Sequence, residues 1–539
     1  MENELEKRSE KALSFFKGKK VYFYLFLIIM IFALGIRLHY FSTYHDQAMW
    51  WDESQYLWRS RDMANGNWFN PDWDENALLM EPSLPPHKPF LIVFAGAFFY
   101  LLRLNGETAV KFLMMLVSFI GVLFTYLAAK EMYNKKTGLI ASALMSVFYL
   151  YNFWSYRIST NVFGTTLWMI TVFLLWRGYI TKPSKKLMFW AGAFMSLTIL
   201  GRTTLAMMVV PVLALFIVKD GWKFIKSKRV WFFALGGFIV MLPYMIWSQI
   251  TYKMPLAWAS EWFGSSSEAG AITKHFTNLF NYIQLFNTTY LNSPIKILLI
   301  LFVIGLVIYL FNLIIGFDIM FKNKDKKLIR TFFVTLWILL PILLLGVWVG
   351  WVEPRYILVV FPAIFMVIGD VLMKGYELVK KWSKPAAVIV ILLIVISSMA
   401  YQFKQGDELI KVKATSYMQV KEAGLWIDQN AGPGDVIFSQ SWPQIEFYGN
   451  RKHIGLTKKA TRYFADLNES EAYLTKDEFE ELAITEGANY FIVSIFETYP
   501  QWAYTYAQEN PTKITPVMAY YMDEQQTQVA LIIYELNFT

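Results

Sequence analysis

Two adjacent carboxylates, Asp52 and Glu53, follow the first long apolar run of the chain and sit beside Trp50 and Trp51. Indole rings prefer the water–lipid boundary, which puts these acids at the mouth of a membrane span. A carboxylate there can act as general base toward an acceptor hydroxyl within hydrogen-bonding reach, and partial desolvation raises its basicity. Asp52 with Gln55 three residues on also fits a helix N-cap and capping box, opening a juxtamembrane helix that ends near Ala64. Capping uses one carboxylate oxygen and leaves the other for chemistry. The two readings are compatible.

Cations recur where other apolar runs end. Pro85-Pro86-His87-Lys88-Pro89 closes the same loop, and its prolines restrict where Lys88 points. A lysine held at the membrane boundary suits a phosphate headgroup of a bound substrate or, equally, of ordinary lipid. His87 reads as a surface histidine, a metal ligand or a substrate contact. Gly201-Arg202-Thr203 interrupts two apolar runs, and Glu353-Pro354-Arg355-Tyr356 separates two more. Charge at the edge of a helix bundle is costly and calls for a partner, which for Arg355 could simply be Glu353. With Lys88, the two arginines form three cations suited to stabilising a departing phosphate, and Tyr356 can donate a hydrogen bond to it. Arg157 and Asn161, at the turn between two runs, are either helix-end polarity or substrate contacts.

The elements that must position these groups are membrane helices. Of 539 residues, 56% are hydrophobic and 17% charged, well under the ~25% charged of soluble domains. No cysteine is present, which removes disulfides and thiolate chemistry. The basic residues alternate with apolar runs rather than forming one compact face, which argues against nucleic acid. Membrane lipids are the expected surroundings.

Eleven apolar runs read as spans: 21–40, 108–129, 138–155, 162–179, 188–200, 203–218, 230–250, 295–316, 331–350, 356–373 and 386–402. The first follows a basic stretch and reads as a retained span rather than a cleaved leader. A twelfth run, 89–104, is short. If it does not cross, 27 basic residues fall on the inner side, and if it crosses, that bias reverses. The expectation is a surface or re-entrant segment, with the N-terminus cytoplasmic, the C-terminus outside and the protein in the cell membrane.

Residues 1–402 then form a transmembrane domain with a first outer loop at 41–107, and 403–539 form a soluble outer-face domain. The tail carries 11 Lys+Arg against 19 Asp+Glu and reads as α/β. Helices are expected near 415–430 and 476–487, and strands at 436–439, 490–495 and 529–534. Sequons at Asn287, Asn468 and Asn537 fall outside in this topology.

The order of these motifs resembles the membrane-embedded GT-C glycosyltransferases, in particular the protein O-mannosyltransferase branch that includes lipid A aminoarabinose transferases. The resemblance rests on Asp52-Glu53 after span one, Pro85 to Pro89, the arginine at 202, and Arg355-Tyr356-Ile357-Leu358-Val359-Val360-Phe361-Pro362 opening a late span. It implies an α-helical polytopic fold of about 11 spans with an outer α/β domain. It further implies transfer of a sugar from a polyprenyl-phosphate donor to an acceptor hydroxyl, with inversion. Asp52 is then the base and Glu53 its support, with Lys88, Arg202, Arg355 and Tyr356 around the phosphate. No cofactor is required, and a divalent ion at Asp52 and Glu53 is compatible but not demanded. Two positions depart from the pattern. Gln55 stands where aminoarabinose transferases carry Arg, and Asn161 stands where many members carry Asp. The alternatives are a flippase or transporter for a lipid-linked glycan, a polymerase or ligase using lipid diphosphates, or a membrane-anchored sensor.

Overall fold

The computed structural model describes residues 19–69, 90–259, 272–348, 352–458 and 469–538. His87, Lys88 and Asn468 lie outside the described residues. The first helix, α1 (Lys19–Tyr44), is one apolar span. It is followed by α2 (Trp51–Ala64) and α3 (Phe90–Leu101). At 12 residues α3 is roughly 18 Å long, too short to cross a bilayer.

The bundle continues through α4 (Gly106–Met132), α5 (Lys135–Val147), α6 (Tyr149–Phe153) and α7 (Thr160–Trp176). Then come α8 (Lys185–Gly201), α9 (Val209–Asp220) and α10 (Lys228–Tyr252). The short helix α11 (Ile272–Leu285) precedes the last four long ones, α12 (Ile297–Asn323), α13 (Lys326–Trp348), α14 (Phe361–Val379) and α15 (Lys384–Lys413). Polar caps start several of them. Asn105 accepts from the Thr108 N–H at 3.0 Å, and Asn134 accepts from Lys136 and Thr137 at the start of α5.

Among the described residues nine helices are long and apolar enough to cross a membrane, fewer than the eleven expected. The two that fall short are 138–155 and 188–200. In the first, Phe148 takes an extended ψ of 117° that divides α5 from α6. The second, α8, has 17 residues, below the ~20 of a typical span.

Helix α14 runs through the centre of the bundle, with Phe361 to Leu372 buried. Helices α10 and α12 lie at the edge and expose Trp231, Phe238, Val307, Phe311 and Ile314, as lipid-facing helices do. Helices α8 and α10 meet at glycines. A Cβ on Gly192 would lie 1.8 Å from the Phe233 carbonyl, and one on Gly236 would lie 2.0 Å from that of Phe189. Only Gly allows this approach of backbones.

Helix α15 continues to Lys413, past the expected boundary at 402/403, and carries the chain without a break out of the bundle. The tail then folds as expected of an α/β unit, around a five-stranded sheet of order β2-β1-β3-β5-β4. β1 (Val436–Ser439) pairs in parallel with β2 (Lys452–Ile454) and β3 (Ala488–Ser494). β5 (Val529–Leu536) runs antiparallel to both β3 and β4 (Ile514–Tyr521). The expected strands and helices are present. Strands β2 and β4 and helices Trp442–Gly449 and Gln501–Glu509 are additional.

Candidate active site

Helix α2 starts two residues earlier than the sequence suggests. Trp51 is its first residue, so Glu53, rather than Gln55, occupies the third position and accepts from the Trp50 N–H at 2.8 Å. Asp52 is therefore not the cap. This shift separates the two carboxylates. Glu53 points inward, 1% exposed, and its other oxygen accepts from the Ile158 N–H at 2.8 Å. The Arg157 guanidinium donates to it at 2.5 Å, stacks 4.2 Å from the Trp50 ring and is itself 2% exposed. A buried carboxylate with a guanidinium and two backbone donors is saturated.

Asp52 points the other way. Its carboxylate accepts from Arg355 Nη2 at 2.9 Å, and its side chain is 36% exposed. Arg355 also lies 3.5 Å from Glu353 and 4.9 Å from the Trp154 ring. The expected Glu353–Arg355 pair is thus present, but it is the longer of two ion pairs made by that arginine. Arg202, just past α8, donates to the Thr160 hydroxyl at 3.0 Å and lies over the Tyr356 ring at 4.8 Å. Its Nε has no partner among the described residues. Tyr56, one helical turn after Asp52, feels Asp52, Arg355, Arg202 and Tyr356 together. Burial first, and then the Asp52 charge, holds its hydroxyl well above the usual range for tyrosine.

Four of the residues singled out in the sequence, Asp52, Arg202, Arg355 and Tyr356, therefore share one polar centre at the end of the bundle. They arrive from α2, the end of α8 and the turn Pro354–Val360 that opens α14. Glu53 and Arg157 stand behind that centre. Asn161 is buried, 3% exposed, with its Oδ1 unpartnered among the described residues. Tyr56, Thr160 and Trp154 belong to the centre but carry no catalytic signal of their own. Only Tyr56 could have been found, since i and i+4 share a helix face. Among the described residues no group of three or more His, Asp or Glu is placed to hold a metal ion.

The tail closes over α2. Trp442 packs edge-on against Trp51 at 5.6 Å, and Arg61 donates to the carbonyls of Phe447 and Glu446 at 3.0 and 3.4 Å. Tyr448 receives the Met49 N–H on its hydroxyl at 3.2 Å. Phe447 and Tyr448 belong to the same apolar cluster as the bundle.

Residues 87–247 match the family described as dolichyl-phosphate-mannose-protein mannosyltransferase. No curated protein matches the chain in sequence. Among solved structures, it is similar to ArnT from Cupriavidus metallidurans bound to undecaprenyl phosphate. There the TM-score is 0.63 at 14% identity, over 94% of this chain and 97% of that one. The apo state of the same protein gives 0.60 at 13% identity, over 96% and 97%. The archaeal oligosaccharyltransferase AglB from Archaeoglobus fulgidus, in complex with an inhibitory peptide and a dolichol-phosphate, gives 0.58 at 13% identity, over 95% of this chain and 74% of that one. At such identities the likeness is one of fold, and the fold is that of the membrane-embedded GT-C glycosyltransferases. The resemblance read from the motifs stands.

Proposed function

We propose that this chain, with its GT-C fold and its mannosyltransferase-family segment, moves a sugar from a polyprenyl-phosphate donor to an acceptor hydroxyl outside the cytoplasm. The observation that carries the reading is the meeting of Asp52, Arg202, Arg355 and Tyr356 from three distant segments at one end of the bundle. ArnT holding undecaprenyl phosphate and AglB holding a dolichol-phosphate make such a donor the natural ligand. A basic bias of 27 residues on the opposite loops supports a cytoplasmic N-terminus and an outer tail.

In this scheme the donor's isoprenoid lies along the bundle and its phosphate enters between Arg202 and Arg355. Fixed cations at that point stabilise negative charge as the sugar–oxygen bond breaks. Arg355 has a second task. It holds one Asp52 oxygen in the free protein, and an arriving phosphate competes for the guanidinium. Drawing Arg355 toward the phosphate releases that oxygen for the acceptor hydroxyl, whose proton Asp52 takes as the hydroxyl attacks the anomeric carbon. The base thus becomes available when the donor is in place. Attack opposite the leaving phosphate inverts the anomeric centre. Lys88 joins the phosphate contacts in this proposal, and Glu53 with Arg157 keeps the start of α2 in position.

The test is a transfer assay on reconstituted protein with synthetic prenyl-phosphate sugars. Wild-type protein should release prenyl phosphate and give a product of inverted configuration by NMR. Wild-type turnover of every donor by both Asp52→Asn and Arg355→Ala would remove these residues from the chemistry.

A further inference from the structure

At the far end of α14 the bundle surface has an open recess, of about 810 Å³, remote from the carboxylate centre. Lys374, on its wall, follows Arg355 by 19 residues along a continuous helical path, which is roughly 30 Å. Four lysines line the recess, Lys135, Lys136, Lys374 and Lys381, against two acids, Asp370 and Glu377.

Both acids are already engaged. Asp370 is held by Lys374 at 2.9 Å and by the Tyr309 hydroxyl at 3.2 Å, and Tyr309 in turn shares a 2.8 Å bond with Tyr133. Glu377 pairs at 2.8 Å with Lys380, a lysine outside the lining. Lys136 stacks 4.5 Å over Tyr376 at the wall. Lys135 and Lys381 make no ion pair among the described residues and are exposed. The recess therefore carries uncompensated positive charge on walls fixed by α5 and α14.

Its rim is apolar. Leu378 lines the recess and is 63% exposed, and Trp382, next to Lys381, is 89% exposed. Tyr22 contributes from α1, beside the exposed Phe23. Tryptophan and tyrosine at this level mark a membrane interface. A basic recess bordered by exposed apolar side chains is complementary to a ligand with an anionic head and an apolar tail. A free phosphate would use the lysines and leave the rim unexplained. These lysines converge on one open recess lined from the start of α5 and the end of α14, with Tyr22 of α1 at its edge, instead of being spread along a loop.

We propose that this recess binds the phosphate headgroup of an anionic phospholipid, with Lys135 and Lys381 as its principal contacts and Leu378 and Trp382 against the acyl chains. The occupant is structural lipid of the leaflet opposite the proposed transfer site. The inference needs the membrane-spanning fold but not the transferase reading, because its readout is binding.

The experiment uses the delipidated full-length protein in uncharged detergent. It is titrated with short-chain phosphatidylglycerol or phosphatidylcholine and followed by native mass spectrometry. Wild-type protein should bind the glycerol lipid at least about tenfold more tightly. Lys135→Ser with Lys381→Ser should erase most of that preference, about tenfold or more, at an unchanged melting temperature in phosphatidylcholine. Lys381→Glu alone, at an exposed position, serves if the double variant does not fold, and should reverse the preference. Equal binding of both lipids by wild-type protein, or unchanged phosphatidylglycerol affinity in the lysine variants, would overturn the proposal. So would inorganic phosphate displacing the lipid at equal concentration, which would mark a free-anion site.

Discussion

Helix α2 carries two arginine–carboxylate pairs on adjacent residues, and they differ in almost everything but chemistry. Glu53–Arg157 is sealed, stacked on Trp50 and supplied with backbone donors. Asp52–Arg355 is half open, and its arginine also reaches Glu353. Removing two charges from water costs several kcal/mol per ion, recovered only through close pairing and added hydrogen bonds. The Glu53 carboxylate has three donors, while Arg157 Nε and Nη1 have no hydrogen-bond partner among the described residues and rest against Trp50. The sealed pair is therefore committed to holding α2 against the 157–160 turn. The open pair can exchange partners at little cost. The same two side-chain types act as scaffold or as reactive group according to which face of one helix they occupy.

The largest effect should come from the open pair. Asp52→Asn keeps a hydrogen-bond acceptor for Arg355 but cannot take a proton, so turnover should fall by about 10²–10⁴ with little change in thermal stability. An assay and a melting curve on the same preparation check both halves. Loss of fold in place of activity would make Asp52 scaffold as well.

Glu53→Gln should do the reverse. It leaves Arg157 buried without its counter-charge, a loss of roughly 3–5 kcal/mol of stability. The double variant Glu53→Gln with Arg157→Met should recover part of that loss, because the stranded charge is gone. Equal melting temperatures for the single and double variants would contradict the account.

Residue type and spacing do not show this asymmetry; only the family resemblance sets Asp52 apart as base from Glu53 as support. Charges breaking apolar runs do reveal Asp52, Arg202 and Arg355, because an unpaired charge in a bundle is expensive. Their meeting depends on how helix ends hundreds of residues apart pack, and no local pattern encodes it. The cap assignment missed by two residues because Asp52/Gln55 and Trp50/Glu53 both fit three-residue spacing. Only the burial of Glu53 decides between them. The α/β character of the tail is legible from β-branched runs such as Val436-Ile437-Phe438. Short β2, with Lys452 exposed, and β4, broken by Pro516, are not. Hydropathy registers apolar length and not a backbone break, so the division of 138–155 at Phe148 is not legible either, although Lys135 and Trp154 lie at opposite ends of the bundle.

Glu497, in the tail, adds a third case: a partly buried carboxylate with no cation among the described residues, hydrogen-bonded to Tyr417. Desolvation raises its pKa to about 7, above the ordinary 4.5. The folded state then binds a proton that the unfolded state releases, so the contribution is complete below about pH 4.5. It is lost as pH rises through 7. The change should be on the order of 2 kcal/mol after allowing for residual hydration. Unfolding followed by denaturant titration between pH 5 and 8 should show it, and Glu497→Gln should flatten the profile. A wild-type profile that rises over this window would mean that Glu497 stays charged and has found a partner.

Arg61 tests the smallest difference, because it lies on the same helix as both pairs and grips carbonyls instead of a carboxylate. Its bonds to Phe447 and Glu446, with its stacking over the Phe447 ring at 5.1 Å, tie α2 to the tail. Each side of that contact can fall back on water, so Arg61→Ala should cost only about 1 kcal/mol. If the tail matters to α2 chiefly by limiting how far Asp52 can drift, acceptor KM should rise a few-fold while the donor Kd stays constant. A donor Kd that weakened with it would show that the tail orients the phosphate cations too. An Arg61→Ala enzyme indistinguishable from wild type in both constants would leave the sealed pair alone as what holds Asp52 in place.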